Sequence, residues 1–403
     1  MAHIANFILH RNSAETSKNQ TIRTLAILSF INFAALGLVA PYLNIYLREI
    51  GMSGTAIGLL VSLGALLELL LNPVVNAWAD RFRSHRFVYR WQIVIVGIAQ
   101  LILSFFRLPL VVGGAFTMSA ITTRGMLEML SQLTITRLDQ LKRDIFGKVR
   151  VWGSVGWATA TLVSGAIIAI GSYPLAFLMG GILRLSALPL TSALPVATDR
   201  GEDDESDVNA PRNPAVFILM ISQFLFFTGL NAYGNFLWIH MREGLGIPPE
   251  QIGFHAAIFA IAEFAPMLFI DRFIANWGIR KVLLFGMLSM SLEWLAFAFI
   301  PNVPTLIALQ LARGVGFTAF TIGITVIVAR VSKPVNVATN RALITVTMPA
   351  LAMLLTSPLA GWIYDTFGAR TTFIFSMVMG LTATTFLLLN YSRLGSTEKA
   401  KNG

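Results

Sequence analysis

The chain contains no cysteine, which excludes disulfides and thiolate metal sites. It is also short of charge: only 12% of its 403 residues are Asp, Glu, Lys or Arg, against roughly a quarter in soluble domains. A soluble fold of this length would need a polar surface that this composition does not supply. Acidic residues are the scarcer sign, 20 against 30 basic ones, for a net charge of +10. The basic excess is not gathered into one patch with interleaved aromatics, so no nucleic-acid partner is expected. It falls instead in short clusters between apolar runs, which is a topology signal. The first 20 residues lack an apolar h-region and a small-residue cleavage site, so the first apolar run is expected to stay as a membrane helix. HExxH, GxSxG and a phosphate-cradling glycine loop with lysine are all missing, so neither an enzyme nor a metal centre nor a bound cofactor is expected.

What the chain has in abundance is apolar sequence, 55% hydrophobic with mean hydropathy +0.70. Apolar runs fall at 22–47, 54–79, 88–106, 109–136, 147–171, 174–195, 214–241, 250–271, 280–300, 303–331, 339–364 and 371–391. Each is long enough to cross a hydrocarbon core of about 30 Å as a helix. A helix satisfies its own backbone hydrogen bonds in lipid, and the alternating pattern of a membrane barrel is absent. Twenty-one lysines and arginines lie at the N-terminus, the even-numbered connections and the C-terminal tail. Four lie on the other side: Arg48, Arg107, Arg242 and Arg370. The positive-inside rule then places both termini in the cytoplasm. An integral, multi-pass protein of the cell (inner) membrane, surrounded by lipid, is the expectation.

Residues 196–213 include GEDDESDVNAPRNP, acidic and not apolar, and read as a flexible cytoplasmic linker. The linker divides the chain into a six-helix bundle at 1–195 and another at 214–403. The halves echo each other. REIGMSGTAIG precedes a span ending in ADRF at Asp80, and REGLGIPPEQIG precedes one ending in IDRF at Asp271. An offset of 195 matches Ile57-Gly58 with Ile252-Gly253 and Glu68 with Glu263. Duplicated six-helix halves are a transporter architecture.

Twelve spans, the central linker and the ADRF/IDRF sites resemble the major facilitator superfamily. The resemblance implies an all-α membrane fold of two pseudo-symmetric six-helix bundles working by alternating access. The family's loop signature is read here as NAWADRFRSHR, with Asn76 and Arg83 where glycines are usual, and as IDRF followed by Gly278, Arg280 and Lys281. It implies a cytoplasmic gate at Asp80, Arg81, Asp271 and Arg272. An aspartate at a helix end pairs with a basic group or a helix N-terminus in one conformation only. FGKVRVWGSVGW (146–157) resembles the fifth helix of the lactose-permease-like proton symporters, which include aromatic-acid permeases. By that resemblance Arg150 contacts the substrate and Trp157 stacks on it. PYLNIYL (41–47) and GWIYDTFGAR (361–370) resemble the same branch. The branch's carboxylate partner for Arg150 is replaced by Gln132, with Glu128 one turn away as the candidate substitute. Its histidine is replaced by Arg313, and its following glutamate by Gly316. Glu293 falls near a position that is commonly arginine, which suggests a charge-swapped pair of Glu293 with Arg313.

Nine charged residues fall inside the spans: Arg124, Arg150, Arg184, Arg313, Arg341, Glu68, Glu128, Glu263 and Glu293. Each costs about 2.5–3.5 kcal/mol at a helix centre, so they must face one another or water. Arg124, Glu128 and Gln132 lie four apart on one helical face, and Asn231 and Tyr233 are polar groups toward the outer end of the seventh span. Substrate contacts are therefore expected at Arg150, Trp157, Arg124, Glu128, Gln132, Asn231, Tyr233 and Arg313. Proton coupling needs a carboxylate titrating near neutrality, and Glu263, Glu293 and Glu68 are ranked for it in that order. His255 reads as a passive interfacial residue, Arg341 as one that snorkels. The expected activity is secondary transport of a small polar or anionic organic solute, a sugar or organic acid, by a monomer using the proton gradient. The alternatives are an exporter of amphiphilic compounds and a non-transporting membrane sensor.

Overall fold

In the computed structural model, residues 2–198, 213–267, 269–300, 302–333 and 336–394 are described, and among them no strand occurs. The helices are α1 (Ala2–Gly37), α2 (Ala40–Glu49), α3 (Gly54–Arg81), α4 (His85–Phe105), α5 (Pro109–Gln140), α6 (Phe146–Ile170), α7 (Tyr173–Leu185), α8 (Pro214–Ile239), α9 (Pro249–Met267), α10 (Ile270–Trp277), α11 (Ile279–Phe299), α12 (Val303–Val331), α13 (Val337–Ala342) and α14 (Met348–Leu389). Single-turn π segments follow α8 at His240–Gly244 and α13 at Leu343–Thr347. Ten segments are long and apolar enough to cross a membrane. The last, Thr339–Leu389, holds two spans, because Gly368 (φ 80°, ψ 177°) breaks α14. That φ lies where glycine carries no side-chain penalty. The eighth expected span falls on α9 and α10. The result is an all-α, twelve-span membrane protein.

Local chemistry sets the breaks. Pro41 has no N–H to donate and its ring crowds the carbonyl one turn earlier, which separates α1 from α2 at Leu38–Val39. Prolines open α5 and α8, where a missing N–H costs nothing. Asn213 caps α8 through the Ala215 N–H at 3.0 Å, and Asn302 caps α12 through the Thr305 N–H at 3.0 Å.

The chain forms two compact units. The first comprises Met1–Ala40 and Leu71–Arg200. Within it α1 packs on α6 and α7, and α4 on α5 and α7. Its core gathers Leu25, Tyr89, Ile93, Met126, Met129 and Leu133. The α1–α6 approach is close enough that a Cβ at Gly156 would collide with the Phe30 carbonyl. The second unit comprises Pro41–Leu70 and Gly201–Gly403. In it α8 packs on α14, α11 on α12 and α14, and α9 on α12. Residues 41–70, which a division at the linker assigns to the N-terminal bundle, thus pack with the second unit. Small residues permit it: a Cβ at Gly58 would strike the Ser357 carbonyl, and one at Gly361 the Gly54 carbonyl. Most of the linker, residues 199–212, lies outside the described residues.

Candidate functional site

In the first unit, Arg124, Glu128 and Gln132 are all exposed on α5. Four-residue spacing aligns them, and Arg124 acts electrostatically on Glu128. Charged side chains exposed in the middle of a membrane helix are costly against lipid, so such a face calls for water or a solute beside it. Arg150, one turn into α6, is half-buried. Its guanidinium lies 4.0 Å above the Phe33 ring. Gly153, one turn further on, leaves the room for it: a Cβ there would sit 2.8 Å from Arg150 Nη1 and 3.0 Å from Ser29 Oγ. Trp157 is half-buried on the same helical face, against Gly37 of α1. Phe33 had no signal in the sequence, because a phenylalanine in an apolar helix looks like core.

Arg184, unassigned from the sequence, is fully buried. Its Nη1 donates to the Asn32 carbonyl at 2.8 Å and to Asn32 Oδ1 at 3.0 Å, tying α7 to α1. This is a structural use of an intramembrane charge. Asp80 contacts His85 Nε2 at 2.7 Å, and Thr198 reaches the same nitrogen at 3.1 Å. Arg81 is exposed, with its guanidinium 5.8 Å from the Phe82 ring.

In the second unit, Tyr233 of α8 is fully buried and donates its hydroxyl to Glu293 Oε1 at 2.7 Å. Glu293 is 3% exposed, and its Oε2 makes no hydrogen bond. Arg313 of α12 does not pair directly with Glu293. Its guanidinium stacks at 4.1 Å over Phe259 and 5.2 Å over Tyr233, and it stays within electrostatic reach of the carboxylate. The expected charge-swapped pair is thus a three-part arrangement with a tyrosine in the middle. Trp294 stacks on Tyr233 at 5.8 Å. Asn231 is half-buried, and its Nδ2 makes no hydrogen bond. His255 and Gln310 are fully buried with no hydrogen bond to either side chain. Glu263 is half-buried and Glu68 is buried. The Thr318 hydroxyl donates to the Glu263 carbonyl at 3.0 Å. Asp271 and Arg272 are exposed at the start of α10, and Arg341 is exposed in α13.

A further polar cluster, absent from the sequence expectations, centres on Asp365, in the connection between the last two spans. Its Oδ1 accepts the Gly54 N–H at 2.7 Å and an Arg48 Nη1 hydrogen at 3.2 Å. Its Oδ2 accepts the Thr55 N–H at 2.8 Å and the Thr55 hydroxyl at 2.9 Å. Partial burial works to raise this carboxyl's pKa, but the Thr55 and Gly54 hydrogen bonds and the Arg48 charge outweigh it and hold it below the ordinary value.

Twelve apolar spans that carry charged side chains within them are the architecture of a membrane transporter. The chain belongs to the major facilitator group: the MFS_1 like family model matches residues 22–375. Among curated relatives, a maltose permease of Geobacillus stearothermophilus is 26% identical over 283 residues, 68% of this chain and 70% of the relative. The quinolone resistance protein NorA of Staphylococcus aureus is 23% identical, covering 73% of this chain and 75% of the relative. Among solved structures, the nucleoside transporter NupG superposes with a TM-score of 0.78 at 18% identity, over 92% of this chain and 98% of that one. These relatives are transporters, not enzymes.

Proposed function

We propose that this protein is a proton-coupled symporter of a small organic anion, a carboxylate in the first instance, working by alternating access. The observation that carries the reading is the pair of cationic groups in the first unit, Arg150 on the Phe33 ring and Arg124 on the exposed side of α5. A guanidinium offers a planar fork to a carboxylate, and stacking on an aromatic ring holds that fork in place. Trp157 adds an apolar face for the solute's carbon skeleton. Glu128 and Gln132 supply the remaining polar contacts. A neutral sugar is the second form of the same reading, favoured by the similarity to a maltose permease.

Glu293 is the carboxylate that carries the proton. It is more deeply buried than Glu263, has one hydrogen bond from Tyr233 and leaves one oxygen open to protonation. Glu263 and Glu68 rank behind it. No bound cofactor is needed; the energy source is the proton gradient. The functional unit is a monomer in the cell membrane with both termini in the cytoplasm, and Asp80, Arg81, Asp271 and Arg272 mark its cytoplasmic gate. Export is the second reading, supported by the likeness to quinolone and multidrug resistance proteins.

Uptake into proteoliposomes tests this. Labelled mono- and dicarboxylates and disaccharides are supplied with and without an imposed proton gradient. Accumulation above equilibrium only with the gradient supports symport. Equilibration that ignores the gradient overturns the coupling, and efflux of amphiphilic dyes without uptake of any solute in the panel moves the protein to the exporters.

A further inference from the structure

One recess in the first unit has no part in solute or proton binding as proposed above. It lies between α3, α4 and α5, where α4 packs closely on α5 and α7 but stands off from α3. The groove has a volume of about 330 Å³, at the lower end of the range for sites that take small organic ligands. Its walls are apolar: Leu71 and Val75 of α3, Phe87 and Trp91 of α4, and Met118 and Ile121 of α5. Trp78 closes one end, its ring 6.1 Å from that of Phe87, which in turn lies 6.2 Å from Trp91. The mouth continues an exposed apolar stripe along α4, formed by Phe87, Trp91, Ile98 and Phe105, which in a membrane helix is a lipid-facing side.

The floor of the groove is polar. Gln92 of α4 is 7% exposed, and its Oε1 makes no hydrogen bond. Asn72 of α3 reaches the same spot. A Cβ at Gly125 of α5 would sit 3.1 Å from Asn72 Oδ1 and 3.4 Å from Gln92 Nε2. Gly125 thus lets the two amides converge, and a side chain there would displace them. The Thr122 hydroxyl, also at the groove, is spent on the Met118 carbonyl at 2.9 Å.

We propose that this groove binds a neutral aromatic amphiphile that enters from the lipid, with a hydroxyl head on Gln92 and Asn72 and its ring among Trp78, Phe87 and Trp91. A hydroxyl both donates and accepts, so one head group serves the bare Gln92 oxygen and an amide nitrogen beside it. The residues that line the groove carry no charge, so an ion would shed its hydration and meet no counter-charge. A lipid chain would cover the walls but leave the Gln92 oxygen without a donor, and a hydroxyl head removes that penalty. The aromatic walls favour a ring over an alkyl chain, through offset and edge contacts.

The test uses neither transport nor a gradient, so it stands or falls apart from the function proposed above. The probe is a benzyl alcohol carrying a photoreactive trifluoromethyl diazirine, which is neutral and membrane-soluble. The full chain in lipid nanodiscs is photolysed with it, and the labelled peptides are located by mass spectrometry. Labelling is expected to saturate and to concentrate on residues 71–95 and 118–122. Gln92→Leu keeps the shape of the floor but removes the acceptor, and should lower labelling about tenfold, the worth of one buried hydrogen bond. The methyl ether of the probe, which has no donor, should label the native chain as weakly as the alcohol labels Gln92→Leu. Gly125→Val should abolish labelling of the groove by displacing both amides, and Gln92→Leu covers the case in which that variant does not fold. Labelling spread along the exposed stripe of α4 without saturation overturns the proposal. So does equal labelling by alcohol and ether, unchanged in Gln92→Leu, which would mean that the groove takes only a lipid chain.

Discussion

The Tyr233 hydroxyl donates to Glu293 at 2.7 Å, while the Arg313 guanidinium lies 5.2 Å over the face of the same ring. One phenol thus touches both charges of a pair that a linear reading joins directly. Protonating Glu293 removes the negative charge that Arg313 feels and weakens the Tyr233 bond, so a proton arriving there rearranges both neighbours. Glu293→Gln should abolish gradient-driven accumulation while sparing counterflow exchange in proteoliposomes. Equal loss of both would make Glu293 structural. Tyr233→Phe should reduce accumulation about tenfold, in line with loss of one hydrogen bond to a charged group.

Gln132 occupies the position where the resembling branch has a carboxylate, one turn from Glu128 on the exposed face of α5. Gln132→Glu adds a negative charge there. It should depress carboxylate uptake by about an order of magnitude through like-charge repulsion, and raise binding of neutral sugars. A competition assay between the two solute classes reads the change.

Asn32 and Arg184 make a buried contact that ties α1 to α7. Asn32→Ala removes the Oδ1 acceptor and leaves the backbone one, at a cost of about 2 kcal/mol. The melting temperature should fall by several degrees, with uptake per folded molecule unchanged. A variant as stable as the parent would show that the carbonyl alone satisfies Arg184.

The span count was legible because lipid asks each crossing for a long apolar run that satisfies its own backbone, even where the first and eighth are divided between two helices, and Gly368 is a break that composition already marks. The α5 stripe was legible for the same reason: Arg124, Glu128 and Gln132 share a helical period that lipid forbids unless water lies beside it. Asp365 was not legible. A lone acid in a short connection looks like any solvated loop residue until Gly54 and Thr55, far away in sequence, present their N–H groups to it. Arg184 was opaque for a related reason, since its partner is largely a backbone carbonyl, which every residue has. The complete burial of His255 was not legible either, since a lone histidine near the start of a span carries no sign of what covers it.

Recognition of solute by Arg150 is read by thermal stabilisation. Purified protein is melted against sugars, nucleosides and aromatic or aliphatic carboxylates, beside Arg150→Lys. A ligand at a hundred times its Kd stabilises by about 2.7 kcal/mol. A carboxylate should raise the melting temperature of the native chain and lose that effect in Arg150→Lys, where a point charge replaces the fork. A solute that stabilises both proteins equally would remove Arg150 from solute recognition.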